Sequence, residues 1–151
     1  MSNRYRTDLT IHTACFFDLD KKLVTCQDPF ESVKYVSISR SKPKDFETMQ
    51  DIQDINYRLG EVLKPSINLL HWYKENKLNW NKYVSLFRSQ VEKVTYTYSE
   101  NRAIGLAIVL SELFPYEKEV TFCCWESSVD SKCHRKLIAN WLPVEMIGSI
   151  N

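Results

Sequence analysis

The sequence predicts a single α/β domain spanning residues 1–151, with a Rossmann-like three-layer architecture and a small, mostly parallel sheet. Short segments rich in β-branched and aromatic residues alternate with longer segments whose apolar residues recur at helical spacing. This alternation is typical of parallel strands joined by helices. The length of 151 residues suits one ordinary domain, and no repeat or linker divides the sequence.

Five segments have the composition of strands, with β-branched and aromatic residues bounded by polar ones. They are residues 7–17, 23–26, 33–38, 119–125 and 144–147. Residues 46–62 are largely polar and follow no clear period, so we expect a loop there with at most a short helix.

Four segments repeat apolar residues at helical spacing. They are residues 67–76, 79–94, 100–113 and 131–142. We expect Ser99 to be the N-cap of the third helix, which is apolar on nearly all sides and should be buried. Pro143 ends the fourth helix. The aromatic residues of the first two helices are expected mainly in the core, namely Trp72, Trp80, Tyr83 and Phe87.

The composition is that of a globular protein that can fill a core, with 44% hydrophobic and 26% charged residues. A net charge of +1 gives no overall attraction to nucleic acid or membranes, which leaves only a local patch open. The longest apolar run, 103–110, is too short to span a bilayer. The polar amino terminus has no signal region and the five cysteines are odd in number, so we expect a cytoplasmic location with reduced thiols.

The densest group of chemically capable side chains lies at one strand-to-helix junction, residues 120–142, with the sequence VTFCCWESSVDSKCHRKLIANWL. Ligands of open parallel sheets tend to bind where strands end and helices begin. Because successive strand residues face opposite sides, Cys124 and Glu126 should share one face. Cys133 and His134 lie one helical turn before apolar residues of the last helix, so both should point towards the sheet or its edge.

These residue types support acid–base or nucleophilic chemistry on an anionic ligand. The first turn of a helix attracts phosphate through unpaired main-chain N–H groups, and it also favours the thiolate of Cys133. His134 could act as an acid or a base, and Glu126 could orient it or share that role. Arg135 could bind an anion through two nitrogens. We therefore predict Cys133, His134 and Glu126 as candidate catalytic residues.

Packing and solvation give each of these residues a simpler interpretation. Buried cysteines are common, so Cys123 and Cys124 are expected to be core residues more often than reactive ones. His134 could hydrogen-bond a main-chain carbonyl. Arg135 and Glu126 could be solvated charges.

A zinc site is a further alternative at this junction. Cys124, Cys133 and His134 could supply three ligands, but their spacing is not that of a zinc finger or ribbon. We therefore predict no metal site and no cofactor.

Residues 16–21, FFDLDK, resemble the start of the haloacid-dehalogenase-type phosphatase motif, in which two aspartates follow a strand. Lys22 stands where that motif has Thr or Val, and no companion lysine and acidic pair is evident downstream. We interpret Asp18 and Asp20 as solvated residues of a hairpin turn between strands.

The junction resembles the carboxy-terminal hallmark of the domain-of-unknown-function family 488. That hallmark is an apolar strand, a Cys and a Glu near its end, a short loop, and Cys-His-Arg opening the last helix. The matching residues are Cys124, Glu126, Cys133, His134 and Arg135. Residues 36–43 and 63–87 are similar to other parts of the family. The resemblance implies a small Rossmann-like α/β fold and no known reaction.

In such a fold Ser39 and Arg40 would also end a strand and border the same edge as the Cys-His-Arg turn. Arg40 and Arg135 would then form an anion pocket, with Ser39 and Cys124 as further ligand-binding residues. The simpler interpretation of the segment around Arg40 is a solvated basic loop.

Three classes of function are consistent with this site. The first is an enzyme acting on a phosphorylated small molecule, a nucleotide or a nucleic-acid end. The second is a non-catalytic binder of a nucleotide-like ligand in the same pocket. The third is a protein-interaction module, with aromatic residues exposed at an interface and a homodimer as one assembly. No membrane partner is expected.

Overall fold

A computed structural model describes residues 5–20, 33–46, 48–125 and 132–151. Five strands form one all-parallel sheet, which confirms the predicted α/β class. They are β1 (Thr10–Cys15), β2 (Val33–Ser37), β3 (Gln50–Asp51), β4 (Glu119–Cys124) and β5 (Ile147–Ile150). Their order across the sheet is β3-β2-β4-β1-β5. The predicted strand at 23–26 lies outside the described residues.

The central strand β4 lies between β2 and β1, and this order brings three strand ends together. Cys15 of β1 is in register with Cys124, and Ser37 of β2 is in register with Cys123. The carboxyl ends of all three strands therefore meet at one edge. Residues Phe16–Asp18 form a 3₁₀ turn after β1, and the strand at 23–26 that the predicted hairpin turn would join to β1 lies outside the described residues.

Six α-helices lie within the described ranges. They are α1 (Ile52–Ile55), α2 (Tyr57–Val62), α3 (Ile67–Lys74), α4 (Trp80–Tyr98), α5 (Arg102–Leu113) and α6 (His134–Asn140). The side chains of Ser66 and Asn79 accept hydrogen bonds from main-chain N–H groups at the starts of α3 and α4. Both helices therefore begin where the sequence predicts. Within the described ranges, no helix combines the length and the apolarity that crossing a bilayer requires.

The predicted boundary of α5 requires a correction. The side chain of Asn101 caps α5 by accepting from the N–H of Ile104, whereas Ser99 ends α4. The Ser99 hydroxyl instead accepts from the N–H of Asn101 at 3.1 Å. Asparagine caps at least as well as serine, and the sequence offers both within three residues.

Residues 46–62 contain more regular structure than the sequence predicts. The strand β3 and the helices α1 and α2 all lie there, and their apolar side chains Ile52 and Leu59 are buried. Asp51 and Asn56 cap the two helices through their side chains. Elements this short show no helical period in the sequence, so packing and caps define them instead.

The last predicted helix and strand both begin later than expected. Helix α6 begins at His134 rather than at residue 131, and Cys133 is its N-cap without a side-chain cap hydrogen bond. Near the end of the chain, residues Val144–Met146 form a 3₁₀ turn and the strand follows it. The polar segment before His134 therefore does not extend the helix within the described residues.

The two faces of β4 pack against different parts of the chain. Val120 and Phe122 join the main core, to which all six described helices contribute. On the opposite face, Cys123 packs with Phe16, Phe46 and Met49 in a smaller cluster. Among the predicted core aromatics, Tyr83 and Phe87 are buried and Trp80 is partly buried against the core, whereas Trp72 is 43% exposed.

Candidate functional site

A cavity of about 420 Å³ lies at the carboxyl edge of the sheet, where the sequence predicts a site. Ligand pockets of proteins are commonly of this volume. The lining residues come from the segment after β2, from α3 and its entry, from the end of β4 and from the start of α6. They are Ser39, Arg40, Ser41, Pro65, Leu70, Lys74, Trp125 and His134.

His134 is the predicted catalytic residue that reaches this cavity. Its ring is 5% exposed and packs edge-on against Phe87, with the ring centres 5.8 Å apart. The Nε2 atom lies 2.9 Å from the main-chain oxygen of Ile38, just beyond β2. A carbonyl oxygen only accepts, so Nε2 carries the proton of this bond. In the neutral ring, Nδ1 is then the nitrogen with a lone pair.

Arg40 also lines the cavity, but its guanidinium is already engaged. Its two terminal nitrogens donate to the carboxylate of Glu61 at 3.0 and 2.8 Å, and its Nε donates to the main-chain oxygen of Pro65 at 3.0 Å. The side chain of Gln53 donates to the same carboxylate. These hydrogen bonds to Glu61 and Pro65 hold Arg40 in one orientation at the wall of the cavity.

Trp125 supplies an aromatic surface at the end of β4. Its Nε1 donates to both the main-chain oxygen and the hydroxyl of Ser41, each at 3.0 Å. The ring packs edge-on against Phe16, with centres 5.2 Å apart, and remains 37% exposed. The indole therefore has a fixed orientation and an accessible part, as aromatic groups that stack on ligands require.

A second, buried cluster adjoins His134. It contains Cys124 and Cys133, which the sequence predicts as site residues. The sulfur atoms of Cys124 and Cys133 are 2.8 Å apart, and both side chains are buried. Nη1 of Arg135 lies 2.8 Å from each sulfur. The same guanidinium donates from Nε and Nη2 to the main-chain oxygen of Asn151, at 3.3 and 2.8 Å. Arg135 therefore joins the two sulfurs to the segment that follows β5.

The pKa of Arg135 reflects its contacts with the two sulfurs. Burial alone would lower the pKa of Arg135, but the charges on Cys124 and Cys133 and the hydrogen bonds to their sulfurs raise it above its ordinary value. The guanidinium is fully buried and remains charged. A buried cation beside two sulfurs favours the thiolate form of a cysteine, which is its nucleophilic form.

The predicted site residues thus fall into two neighbouring groups. Ser39, Arg40 and His134 line the cavity, whereas Cys124, Cys133 and Arg135 form the buried cluster. Arg40 and Arg135 do not line one common pocket among the described residues. Glu126, the third predicted catalytic residue, lies outside the described residues.

Cys124, Cys133 and His134 are potential metal ligands, and the sequence offers the same three residues for zinc. The two sulfurs and a ring nitrogen of His134 lie within 4.8 Å of one another. Sulfurs bound to one tetrahedral zinc ion at about 2.3 Å would be about 3.8 Å apart. The observed sulfurs are closer than that and also face Arg135, so metal binding would require both sulfurs to move.

Cys123 is as buried as its neighbour Cys124 but has a different environment. Its side chain faces the smaller cluster on the other side of the sheet. Burial raises the pKa of the Cys123 thiol to about 12. The thiol therefore stays protonated at neutral pH and serves as a packing residue, as the sequence predicts.

A polar network that the sequence did not predict lies beside the cavity. The ammonium group of Lys64 is 2% exposed and lies 2.7 Å from the carboxylate of Asp51 and 3.0 Å from the side-chain oxygen of Gln53. Glu61 connects this network to Arg40 through Gln53. The only signal in the sequence is the Lys-Pro pair at the entry of α3, because the acidic partners lie in the segment predicted as a loop.

One comparison with known proteins gives a match. The family model DUF488-N3a, described as the active DUF488-N3 subclade, matches residues 21–145. The match covers most of the chain, including the segments that carry the cavity and the buried cluster. No curated protein and no solved structure gives a significant match.

Proposed function

The chain belongs to the DUF488 family, in its DUF488-N3a subclade. We propose that the cavity beside His134 binds a phosphorylated, nucleotide-sized molecule and acts on it. The subclade is described as active, which supports catalysis. The proposal rests on one observation. His134, Arg40 and Trp125 line the same cavity at the carboxyl edge of a parallel sheet.

The charges around the cavity favour an anionic ligand. Arg40 and Lys74 line it, and the ammonium-bearing side chain of Lys74 is exposed. Arg40 is partly neutralised by Glu61, so Lys74 is the lining cation that a phosphate group would engage most directly. The hydroxyl-bearing residues Ser39 and Ser41 add polar contacts at the same wall.

The size and the aromatic wall of the cavity favour a nucleotide over a bare phosphate. A volume of about 420 Å³ exceeds what a phosphate ion fills. Trp125 presents an indole of fixed orientation on which a base can stack. Stacking on an aromatic side chain is worth about 1–3 kcal/mol per base, without preference for one base.

In this proposal His134 is the acid–base residue, because its side chain reaches the cavity. The hydrogen bond from Nε2 to Ile38 leaves Nδ1 to exchange a proton with the substrate. Glu126 remains a proposed partner of His134, and Cys133 a proposed nucleophile. Arg135 supports the site from behind by holding the sulfurs of Cys124 and Cys133.

A non-catalytic binding module for the same ligand is the second candidate function. One observation favours it: Cys133 is 1% exposed and lies behind His134 rather than in the wall of the cavity. A binding module would retain full ligand affinity after Cys133→Ser. An enzyme that uses this sulfur would bind its substrate normally but lose turnover.

Ligand titration tests the proposal. The wild-type chain is titrated with AMP, GMP, CMP, UMP and ribose 5-phosphate, each beside its unphosphorylated counterpart, with tryptophan fluorescence as the signal. We expect at least one phosphorylated probe to bind and its unphosphorylated counterpart to bind more weakly. Lys74→Ala should weaken binding about three- to tenfold, since a charged contact is lost.

Lys82→Ala is the matched control for this titration. Lys82 is also an exposed lysine near a helix end, but it does not line the cavity. Its replacement should leave the affinity unchanged. The proposal is wrong if no phosphorylated probe binds, or if both lysine variants weaken binding equally.

A further inference from the structure

We propose that Cys124 and Cys133 are a thiol–disulfide couple that a small hydroperoxide oxidises, and that the disulfide changes the cavity beside His134. The couple itself does not depend on the ligand of the cavity. Its effect on ligand binding rests on the proposed function.

The two sulfurs are brought together by the fold rather than by the local sequence. Cys124 ends strand β4 and Cys133 is the N-cap of α6, so the sulfurs come from two separate elements. They are nevertheless 2.8 Å apart. A disulfide bond is about 2.0 Å long, so only a small approach of the side chains separates the reduced from the oxidised pair.

Arg135 contacts both sulfurs. Its Nη1 lies 2.8 Å from both sulfurs and its side chain is fully buried. The thiolate, rather than the thiol, attacks a peroxide, and a neighbouring guanidinium stabilises the thiolate. The cluster therefore contains both a nucleophilic sulfur and a second sulfur within reach to resolve the product.

The other described cysteines are poor competitors for oxidation. Cys123 faces the opposite side of the sheet, and its thiol donates to the main-chain oxygen of Thr121 at 3.4 Å. Cys15 lies beside Cys124 in the sheet, and its thiol donates to the main-chain oxygen of Trp125 at 3.4 Å. Among the described residues, only Cys124 and Cys133 have their sulfurs in hydrogen-bond contact with a guanidinium.

The burial of Cys124 and Cys133 limits the size of an oxidant that can reach their sulfurs. Cys124 and Cys133 are 0% and 1% exposed, so a bulky disulfide such as oxidised glutathione cannot reach them without opening the fold. Hydrogen peroxide is small and uncharged, so it reaches buried sulfurs more readily than a bulky disulfide does. It is therefore the chemical class of oxidant that the structure fits.

The reaction balances as a two-electron oxidation. One thiolate attacks an oxygen of hydrogen peroxide, the S–O bond forms, the O–O bond breaks, and the departing hydroxide takes up a proton to become water. The second sulfur then attacks the sulfenic sulfur, the S–S bond forms and the S–O bond breaks. This hydroxide takes the proton of the second thiol and leaves as a second water. Two thiols are oxidised and one peroxide is reduced.

The disulfide would act on the cavity through two adjacent contacts. His134 follows Cys133 in the chain, so a change at that sulfur moves the ring that lines the cavity. Oxidation also changes the two sulfurs that Nη1 of Arg135 contacts, and so alters the position of that side chain. We expect the oxidised protein to bind the phosphorylated probe about fivefold or more weakly than the reduced protein.

Differential alkylation with mass spectrometry tests the couple. The folded chain is treated with hydrogen peroxide, denatured in excess maleimide, and digested without reductant. We expect two fewer maleimide labels than the five that the reduced chain takes, a peptide linking Cys124 to Cys133, and full reversal by dithiothreitol. Five labels, or a disulfide that joins other cysteines, would overturn the proposal.

Matched variants separate this result from a loss of structure. Cys123→Ser should still form the disulfide, whereas Cys133→Ser should not form it, and far-ultraviolet circular dichroism checks that both are folded. A zinc ion retained by the untreated protein and protecting both sulfurs from oxidation would also overturn the couple. If the reduced protein binds no phosphorylated probe, the proposed function fails while peptide mapping still decides the couple.

Discussion

The ring of His134 is held 2.9 Å from the main-chain oxygen of Ile38, so a residue at the start of α6 is tied to the segment that follows β2. The segment after β2 lies beside the carboxyl end of the central strand β4, and α6 contacts that strand. The bond fixes both the orientation of the ring and the nitrogen that carries its proton. The acid–base residue of the proposed site is thus positioned by the sheet before any ligand binds.

Replacing His134 by phenylalanine should affect both stability and binding. The variant keeps an aromatic ring against Phe87 but loses the donor to Ile38, which should lower the free energy of unfolding by about 1 kcal/mol. It should also lower the affinity for the phosphorylated probe about tenfold. Urea denaturation and probe titration measure the two effects. His71→Phe is the control, because His71 is exposed on α3 and does not line the cavity.

Arg135→Met should be among the most destabilising single changes in the chain. The guanidinium is fully buried and donates to two sulfurs and to a main-chain oxygen. Removing one partner of a buried charged network costs about 3–5 kcal/mol. Arg88→Met is the control, since Arg88 is 45% exposed and 3.9 Å from Glu92, and should cost about 0.5 kcal/mol or less. Equal midpoints in guanidinium denaturation would contradict the structural role of Arg135.

The pair of Lys64 and Asp51 should behave as a coupled unit. Asp51→Asn keeps an oxygen to cap α1 but removes the charge beside a lysine that is 2% exposed. It should cost about 3 kcal/mol, as should Lys64→Met. The double variant should lose less than the two single losses combined, by about 1–3 kcal/mol. Additive losses in a urea double-mutant cycle would mean that the two side chains do not interact.

Cys123 should make the protein less stable at alkaline pH. Burial raises the pKa of its thiol from 9.0 to about 12 in the folded chain. Below pH about 9 both states hold the proton, so this residue adds no pH dependence. Between that value and about 12 only the unfolded chain releases the proton, and stability falls by up to about 1.4 kcal/mol per pH unit. The difference between the wild type and Cys123→Ala, measured by denaturation at pH 8, 9 and 10, isolates this effect. A difference that does not change with pH would contradict it.

The sequence predicted the fold class because periodicity and composition are local properties. It also predicted that Cys123 and Cys124 face opposite sides, since strand residues alternate, and that Cys133 and His134 point inward. It did not predict the partner of Arg135, because the oxygen of Asn151 approaches only through the pairing of β5 with β1. Nor did it predict the bond between Arg40 and Glu61, because Glu61 lies on a helix too short to leave a periodic pattern.

Native mass spectrometry of gently purified protein tests most directly whether the cavity beside His134 holds a phosphorylated, nucleotide-sized ligand. The native mass is compared with the mass after denaturation. We predict a non-covalent adduct of nucleotide size that Lys74→Ala diminishes and Lys82→Ala retains. A chain that carries no adduct, and gains none when a mixture of nucleoside monophosphates is added, would contradict the claim.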